Sequence, residues 1–298
     1  MNTLYFDSPI SEAARREQLY NGQLFVYSPS SSAMALVTLA RELIQAAFGD
    51  LDPETAQHDL PVERYAAILA DLKPRFIHHP KAKQIIREML AERGCDLDKT
   101  YFDVPRLRTA TSHDYLTTGI AYAFHPHRDT WYSAPQCQIN WWLPVYDLEP
   151  GRAMALHPKY WNHPVRNSSD GYNYAEWNRT SRFNAAQHVK RDTRVQPRAL
   201  EPLELDPQIR VTMPVGGVLL FSAAQLHSTV PNDTGRTRFS IDFRTIHLDD
   251  VLAERGAPNL DSQCTGTTMN DYLRGSDLSH VPEIVVAQFD TPPPVLVQ

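Results

Sequence analysis

The amino-acid sequence predicts an α+β protein whose first third is mostly helical and whose remainder is mostly short strands. In residues 1–100, apolar side chains recur near the 3.6-residue spacing of a helix. From about Tyr101, short runs rich in aromatic and β-branched residues are separated by Pro, Gly and Asp turns, which is typical of a sandwich or barrel of antiparallel strands. The sequence contains neither an internal repeat nor a linker long enough to separate two domains, so we expect residues 1–298 to form one domain.

The helical part also contains two short apolar runs that predict strands, Leu4–Phe6 and Gln23–Tyr27. A serine opens the first helical stretch as its N-cap, and Gly49 follows the second stretch, where glycine often ends a helix. We expect these helices to form a scaffold layer packed on a sheet. The predicted helices are Ser11–Tyr20, Ser32–Phe48, Val62–Leu72 and Lys81–Arg93.

The strand-rich part divides into a core, residues 101–246, and a weakly patterned C-terminal extension, residues 247–298. Within the core, residues 151–199 form a long polar insert with little periodicity, and a loop of this length is usually functional or disordered. The predicted strands of the core are Arg106–Thr111, Gly119–Phe124, Ile139–Pro144, Ala153–Leu156, Ile209–Met213, Val218–Ser222, Leu226–Val230 and Arg238–Thr245.

The insert is basic although the whole protein is acidic. It carries nine lysine and arginine residues against three acidic residues, whereas the net charge of the chain is −6. One interpretation is a solvated basic loop. The functional interpretation is a lid that attracts an anionic substrate to a cleft, and it predicts a substrate that carries a carboxylate or phosphate group.

Composition and charge argue against several classes of function. A net charge of −6 and a pI near 6.0 give no reason to expect nucleic acid or an anionic membrane as a partner. The three cysteines lie far apart without metal-site spacing, and no apolar run reaches the ~18 residues of a membrane span. The first residues lack the pattern of a signal peptide, so we expect a cytoplasmic protein. The sequence does not indicate its oligomeric state.

The segment Gly119–Pro144 contains the strongest indication of chemistry, because it carries His127 and Asp129 at the end of an apolar run. Side chains two residues apart on an extended backbone point to the same face, so these two can bind one metal ion. A third ligand is available at His227, which follows the apolar run Val218–Phe221. Two histidines and one carboxylate form the facial triad of non-haem Fe(II) oxygenases, which leaves coordination positions open for a co-substrate and O2.

A second His-x-Asp sequence, at His247 and Asp249, is a weaker candidate. One histidine, His280, follows it, and no Arg-x-Ser sequence comes after that residue. The first copy is followed by His227 and then by Arg238-Phe239-Ser240. We therefore prefer the first copy as the metal motif.

In these features the chain resembles the Fe(II)/2-oxoglutarate-dependent dioxygenases, in particular the phytanoyl-CoA dioxygenase-like branch. In that family a His-x-Asp is followed, after a long insert, by a Gly-Asp or Gly-Gly bend, an apolar strand, a distal histidine and then an arginine. The resemblance covers about Thr100–Ile246. It implies a double-stranded β-helix core, that is, a jelly-roll or cupin-like fold, and it implies Fe(II), 2-oxoglutarate and O2 as cofactor and co-substrates. The matching positions are His127, Asp129, Gly216-Gly217, His227 and Arg238.

The resemblance implies that Arg238 binds the distal carboxylate of 2-oxoglutarate. A planar guanidinium can pair with a carboxylate through two parallel hydrogen bonds, and Ser240 projects from the same strand face as an additional donor. Arg236 shares this face and is the competing choice. Gln138 immediately precedes the predicted strand Ile139–Pro144, and Asn140 lies within it. We expect one of these two side chains to hydrogen-bond 2-oxoglutarate or the substrate.

Trp131 and Tyr132 directly follow the first two ligands and are expected to wall the active site, and Arg166 of the insert is a candidate for binding the substrate. The sequence departs from the family pattern at Ala153–Trp161, where Pro-Gly-Ser-His is common, and this departure concerns the substrate pocket. Halogenating relatives replace the metal-binding carboxylate with a small residue so that chloride can bind the iron. Because Asp129 keeps the carboxylate, we expect hydroxylation or another oxidation.

The sequence therefore favours a non-haem Fe(II)/2-oxoglutarate-dependent oxygenase. Its reaction would hydroxylate, or oxidatively dealkylate, a small anionic metabolite while 2-oxoglutarate is converted to succinate and CO2. Two alternatives stay open. A cupin-type metal-dependent dioxygenase or isomerase would not use 2-oxoglutarate and would not need Arg238-Phe239-Ser240. A catalytically silent jelly roll that binds a small molecule would not need a complete set of metal ligands.

Overall fold

The computed structural model describes residues 3–181, 187–188 and 192–290. In this part of the chain a mixed sheet is packed between a helical layer and a smaller sheet, which confirms the predicted α+β class. The helices are α1 (Glu12–Tyr20), α2 (Ser31–Phe48), α3 (Val62–Ile77), α4 (Pro80–Glu92), α5 (Tyr174–Thr180), α6 (Leu248–Leu252) and α7 (Glu283–Phe289). The strands are β1 (Leu4–Phe6), β2 (Leu24–Tyr27), β3 (Thr100–Phe102), β4 (Arg106–Ala110), β5 (Ile139–Pro144), β6 (Met154–Leu156), β7 (Ile209–Arg210), β8 (Val218–Ser222), β9 (His227–Thr229), β10 (Arg238–His247) and β11 (Leu273–Arg274).

The helical layer forms where the sequence predicts it, because end signals and buried faces agree. Ser11 and Ser30 cap α1 and α2, each accepting a backbone N–H at 3.3 Å. Helix α2 ends at Gly49, whose φ of 66° is a conformation that glycine adopts without steric cost. Helix α3 continues through Pro74 beyond its predicted end, and Phe76 in this extra turn is fully buried. Among the described residues, no helix is both long and apolar enough to cross a membrane.

The major sheet has the strand order β1-β2-β8-β5-β10-β3-β11, and β4 also pairs with β10. The register of β5 and β10 sets Asn140 opposite Arg244 and Trp142 opposite Asp242. Because side chains alternate along a strand, the neighbouring Phe243 points to the helical layer, where it joins the main apolar core. The side chains of Asn140, Asp242 and Arg244 therefore lie on the opposite face of the major sheet, which we call the inner face.

The minor sheet has the order β7-β6-β9 and packs on the inner face of the major sheet. Met154 and Leu156 of β6 belong to the same buried apolar cluster as Val26, Trp142 and Phe221 of the major sheet. Two facing sheets around an apolar core are the arrangement of a jelly roll. The structure therefore agrees with the jelly-roll core that the sequence predicts.

One predicted strand is wrong, and the major sheet extends beyond the predicted core. Gly119–Phe124 is not a strand, because Gly119 has a φ of 56° and begins a short 3-10 helix, Gly119–Ala121. Strands β1 and β2 of the helical third join the major sheet beside β8, and β11 of the C-terminal extension pairs with β3. The boundaries at residues 101 and 246 therefore do not limit the sheet.

We predict that Leu69→Ala, in α3, destabilises the sheet together with the helical layer. Leu69 is fully buried in a cluster that also contains Trp141 and Phe243 of the sheet, and such a truncation costs about 2–5 kcal/mol. All five tryptophans lie at or beyond residue 131, so tryptophan fluorescence reports on the strand-rich part, whereas far-ultraviolet circular dichroism reports mainly on the helices. In urea unfolding, both signals should shift to lower urea by the same amount.

The matched control is Leu252→Ala, because Leu252 is 55% exposed and its truncation should leave the unfolding midpoint nearly unchanged. A shift of the circular dichroism transition without a shift of the fluorescence transition would show that the helical layer unfolds by itself. That outcome would contradict the expectation of a single domain.

Candidate metal centre and cavity

The side chains of His127, Asp129 and His227 converge on one point, with their donor atoms all within 4.8 Å of one another. Oδ1 of Asp129 is 3.4 Å from Nε2 of His127 and 3.9 Å from Nε2 of His227. Metal–ligand bonds of about 2.0–2.2 Å set neighbouring ligand atoms roughly 3 Å apart. The cluster therefore has the size and the donor types that a single divalent metal ion needs.

Two backbone hydrogen bonds bring the histidines together. The N–H of His127 donates to the carbonyl of His227 at 3.0 Å, and the N–H of His227 donates to the carbonyl of His127 at 2.9 Å. Residues paired in this antiparallel manner carry neighbouring side chains, and the two imidazole centroids are 4.3 Å apart. Asp129 is fixed in turn by its own N–H, which donates to the carbonyl of Ala223 at 2.9 Å.

The backbone also selects the tautomer of each histidine. Nδ1 of His127 lies 2.8 Å from the carbonyl of His125, and Nδ1 of His227 lies 2.9 Å from the carbonyl of Gln225. A carbonyl oxygen can only accept a hydrogen bond, so each Nδ1 carries the proton. Each Nε2 then presents its lone pair to the common point, as a metal-binding imidazole must.

The second oxygen of the Asp129 carboxylate, Oδ2, is held by two side-chain amides on the inner face. Asn140 donates to it at 2.8 Å and Gln138 at 3.2 Å. Gln138 also donates to Oδ1 of Asn140 at 2.9 Å and accepts from the hydroxyl of Tyr272 at 2.7 Å. This network fixes the orientation of the carboxylate and leaves Oδ1 of Asp129 for the metal. A direct role of Gln138 and Asn140 toward 2-oxoglutarate stays a prediction.

Burial and neighbouring charges give the ligands the protonation states that bind a metal. Burial alone would raise the pKa of Asp129, but the close approach of His127 and the nearby Arg244, whose Nε is 3.9 Å from Oδ2, hold this pKa below its usual range. Burial, and then the proximity of His127, lowers the pKa of His227 to about 3. At neutral pH, Asp129 is therefore a carboxylate and His227 a neutral imidazole.

The chain between the first two ligands is anchored by Asp261 of the C-terminal extension. Asp261 pairs with Arg128 at 3.1 Å and accepts a hydrogen bond from the indole N–H of Trp131 at 2.7 Å. Trp131 is fully buried and packs in an apolar cluster with Val165 and Leu226. The expectation that Trp131 walls the active site is therefore corrected. The Trp131 ring packs against Val165 and Leu226 and does not line the cavity.

The metal ligands open onto a cavity of about 670 Å³ whose wall is mostly apolar and aromatic. Helix α3, residues 119–124, the insert and residues 268–272 all contribute to the wall. A cavity of this size accommodates a small organic molecule. Tyr132 lines it as the sequence suggests, with its ring centroid 5.5 Å from that of His127 and its hydroxyl donating to the carbonyl of Pro197 at 3.0 Å.

Arg238 reaches the same cavity from β10. Its NH1 donates to the carbonyls of Arg152 and Ala153, at 3.2 and 3.0 Å, while its buried Nε has no hydrogen-bond partner among the described residues. The guanidinium also lies over the ring of Trp142, 5.7 Å from its centroid. Burial lowers the pKa of Arg238 to about 10. Asp242 favours the charged form of this buried cation, but no carboxylate among the described residues lies within ion-pair distance of it.

Three other predicted site residues lie outside the cavity wall. Arg236 is paired with Glu54 at 2.8 Å and is partly exposed, as expected of a salt-bridging arginine. Ser240 is fully buried on the inner face of β10, and its hydroxyl has no partner among the described residues. Arg166 is exposed on the insert and donates to the carbonyl of Leu200 at 2.9 Å.

Several cations of the insert are neutralised by carboxylates, so the insert is less basic in its effect than its composition predicts. Arg182, Lys190 and Arg191 lie outside the described residues. The ion pairs of the described insert residues include Arg152 with Glu54, Lys159 with Glu204 and Arg194 with Asp192.

No protein-family model and no curated protein sequence matches the chain. Three similar solved structures are EvdO2 from Micromonospora carbonacea var. aurantiaca complexed with 2-oxoglutarate, the epimerase SnoN in complex with Fe3+, alpha ketoglutarate and nogalamycin RO, and the non-heme monooxygenase ThoJ in its apo form. EvdO2 is 12% identical over 80% of this chain and 92% of its own, with a TM-score of 0.45. SnoN is 16% identical over 79% and 85%, with a TM-score of 0.40, and ThoJ is 13% identical over 73% and 70%, with a TM-score of 0.39. At such low identities and TM-scores, these likenesses carry no argument about the activity of this chain.

Among the cavity residues that escape the sequence-based prediction are Arg244, Tyr272 and Lys73. Arg244 shares the strand face of Arg238, so the alternation along β10 was a usable signal for it. Tyr272 lies in the weakly patterned C-terminal extension. Lys73 lies on α3, in the helical part that we expected to be a scaffold layer. Nothing in the local sequence marks either residue as part of a site.

We predict that Asn140→Leu weakens the binding of divalent metal without unfolding the protein. Leucine has a similar volume but cannot donate to Oδ2 of Asp129, so the carboxylate loses its shorter amide hydrogen bond and keeps the longer one from Gln138. Loss of a hydrogen bond to a metal ligand typically weakens metal affinity roughly 10–100-fold. Anaerobic equilibrium dialysis with Fe(II), followed by iron quantification, measures the change.

The matched control is Asn162→Leu at an exposed position, which should bind Fe(II) as the wild type does. If Asn140→Leu also retains wild-type affinity, the amide does not orient the carboxylate, and the role of this network is only to fill space.

Proposed function

We propose that the chain is an Fe(II)/2-oxoglutarate-dependent oxygenase that oxidises a C–H bond of a small organic molecule. One observation carries the proposal: the buried cluster of His127, Asp129 and His227 opens onto the same cavity as Arg238, whose guanidinium has no carboxylate partner among the described residues. The cluster suits a metal ion, and the guanidinium suits the distal carboxylate of a dicarboxylic acid that chelates this ion through its other end.

The donor set fits iron better than a structural zinc ion. Structural zinc sites are closed by four protein ligands, often thiolates. In the part of the chain that the structure describes, the cluster holds two imidazoles and one carboxylate and no cysteine. Two histidines and one carboxylate leave several coordination positions open, as in non-haem Fe(II) oxygenases. These open positions suit a chelating co-substrate and O2.

The surroundings of Arg238 fit the distal carboxylate of 2-oxoglutarate. Two backbone carbonyls orient NH1, and the ring of Trp142 lies under the guanidinium. Because Nε is buried without a partner in the part of the chain that the structure describes, a carboxylate oxygen placed there would satisfy it through a charge-assisted hydrogen bond. The buried hydroxyl of Ser240, on the same strand face and without a partner among the described residues, is proposed as an additional donor.

Iron bound with 2-oxoglutarate and O2 would supply an oxidant that removes hydrogen from a C–H bond, with conversion of 2-oxoglutarate to succinate and CO2. The chain itself supplies position and exclusion of water. Asn140 and Gln138 hold Asp129 in one orientation. The rings of Phe124 and Tyr132 lie 5.0 and 5.5 Å from the His127 ring and exclude water from that side of the site. Hydroxylation follows, or dealkylation where the hydroxyl lands beside a nitrogen.

The proposed substrate is a small molecule with an anionic group. The ion pairs within the insert weaken the idea that the insert attracts this group, since Arg152, Lys159 and Arg194 already have carboxylate partners. We therefore assign recognition of the anionic group to the cavity wall.

The proposal predicts that Arg238→Ala raises the KM for 2-oxoglutarate at least roughly 30-fold, since loss of a charge-assisted pair costs about 2–5 kcal/mol and every 1.4 kcal/mol is about tenfold. Arg236→Ala is the matched control and should change this KM little, because Arg236 is paired with Glu54 and lies outside the cavity wall. Succinate formed by the Fe(II)-loaded protein from 2-oxoglutarate, in the absence of any other substrate, measures both.

A larger effect of Arg236→Ala than of Arg238→Ala would exchange the roles of the two arginines. Wild-type protein that binds Fe(II) but never forms succinate from 2-oxoglutarate would favour a cupin-type enzyme that does not use this co-substrate. Protein that fails to bind Fe(II) would favour a silent small-molecule binder.

A further inference from the structure

Beyond the metal ligands the cavity continues along a set of aromatic side chains, which we call the aromatic arm. Two of its rings contact the ring of His127, so the arm begins at the metal centre. From Phe124 the arm continues to Tyr122, with the ring centroids 5.0 Å apart, and from Tyr132 it continues to Tyr172 and then Trp177, with successive centroids 5.5 and 5.9 Å apart. All five residues line the cavity. The arm consists of Tyr122, Phe124, Tyr132, Tyr172 and Trp177.

Most charged groups in the cavity wall are already paired with one another. Arg108 binds Asp242 at 2.7 Å, and Arg244 binds both Asp103 and Asp242 at 3.2 and 3.3 Å. Such pairs keep a buried charge satisfied without a ligand. A bound molecule therefore meets mainly aromatic and apolar surface along the arm.

Lys73 of α3 is an exception. Of the lysine and arginine side chains that line the cavity in the described part of the chain, Lys73 and Arg238 are the two without a carboxylate within ion-pair distance. The Nζ of Lys73 donates to the carbonyl of Ile120. Burial, and then the neighbouring Arg108, lowers the pKa of Lys73 to about 7, although Asp242 opposes this shift. An anion beside Nζ would favour the charged form.

We propose that the aromatic arm binds a substrate with a flat ring system that carries one anionic group, and that Lys73 is the partner of this group. The assignment rests on the proposed function, since it names the substrate class of the same cavity. Arg238 does not bind the substrate in this arrangement, because it pairs with the distal carboxylate of 2-oxoglutarate.

Stacking on the aromatic arm and the charge of Lys73 together favour such a substrate. Aromatic rings favour offset or edge-to-face contact with another ring, beyond the area that they bury. A half-buried ammonium group that, among the described residues, is hydrogen-bonded to one carbonyl gains from an anionic ligand, because little of its charge is compensated by the protein. A neutral ring compound would leave this cation as it is, so the cavity selects for the anionic one.

A pair of fluorescent probes separates the two parts of the proposal. Anilinonaphthalene sulfonate and N-phenylnaphthylamine share the same ring system, and only the first carries an anionic group. In protein without iron or 2-oxoglutarate, Lys73→Met should weaken binding of the sulfonate roughly tenfold or more and leave binding of the neutral probe unchanged, as a hydrogen bond to a charged group contributes about 1.5–3 kcal/mol. Lys73→Arg should retain the preference for the sulfonate.

Two further variants serve as controls. Trp177→Ala should weaken both probes to a similar extent, because it shortens the aromatic arm. Lys99→Met removes a lysine that is paired with Asp249 at 2.8 Å on the surface, and it should affect neither probe. Circular dichroism checks that each variant is folded.

Four outcomes would overturn the assignment: no binding of either probe by the wild type, no effect of Lys73→Met, an equal loss of both probes in Lys73→Met, or displacement of the sulfonate by 2-oxoglutarate in the Fe(II)-loaded protein under anaerobic conditions. The last outcome would mean that Lys73 binds the co-substrate. Because the probe titrations need neither iron nor turnover, they can succeed when the oxygenase proposal fails, and the reverse also holds.

Discussion

The reciprocal backbone hydrogen bonds between His127 and His227 are the constraint on which the rest of the site depends. They join two segments that are far apart in the sequence and set the two imidazoles side by side. The carbonyls of His125 and Gln225 then fix both tautomers, so no further contact is needed to aim the two Nε2 atoms. His227 belongs to β9, so the minor sheet positions one of the two imidazoles.

The second requirement of the site is the burial of a carboxylate. Asp129 sits in a cavity wall where an unpaired charge would be costly, and the inner face of the major sheet compensates it with two amides and a guanidinium. Asn140 and Arg244 are opposite one another in the register of β5 and β10, so the same strand pairing that builds the sheet also delivers both groups. The tyrosine that completes the amide network, Tyr272, comes from the C-terminal extension.

The sequence predicted the cluster of His127, Asp129 and His227, whose side chains lie together in the structure, whereas their binding of a metal ion stays a prediction. The alternation along β10 predicted that Arg238 and Ser240 share a strand face, because side-chain direction follows from strand geometry. The predicted strand Gly119–Phe124 is wrong. The segment has the composition of a strand, but Gly119 adopts a positive φ and begins a 3-10 helix. The sequence-based prediction also overestimated the basic insert, since the partners of Arg152 and Lys159 lie far away in the sequence.

The supporting residues could not be predicted for a related reason. Asp261 acts through long-range contacts with Arg128 and Trp131, and Tyr272 acts through a long-range hydrogen bond to Gln138. Neither Asp261 nor Tyr272 lies in a periodic segment. Lys73 lines the cavity and donates to the carbonyl of Ile120 because the 3-10 helix Gly119–Ala121 packs beside α3. Such contacts depend on how elements pack, which a single sequence does not encode in any local pattern.

The central claim is that one cavity holds both a metal ion at His127, Asp129 and His227 and a 2-oxoglutarate carboxylate at Arg238. Anaerobic titration of the wild-type protein with Fe(II) and 2-oxoglutarate tests it most directly, through the weak visible charge-transfer band of the iron chelate. The account predicts a band that saturates at equimolar iron, that is absent in His227→Ala and that needs far more 2-oxoglutarate in Arg238→Ala. Wild-type protein that binds Fe(II) but develops no band with saturating 2-oxoglutarate would contradict it.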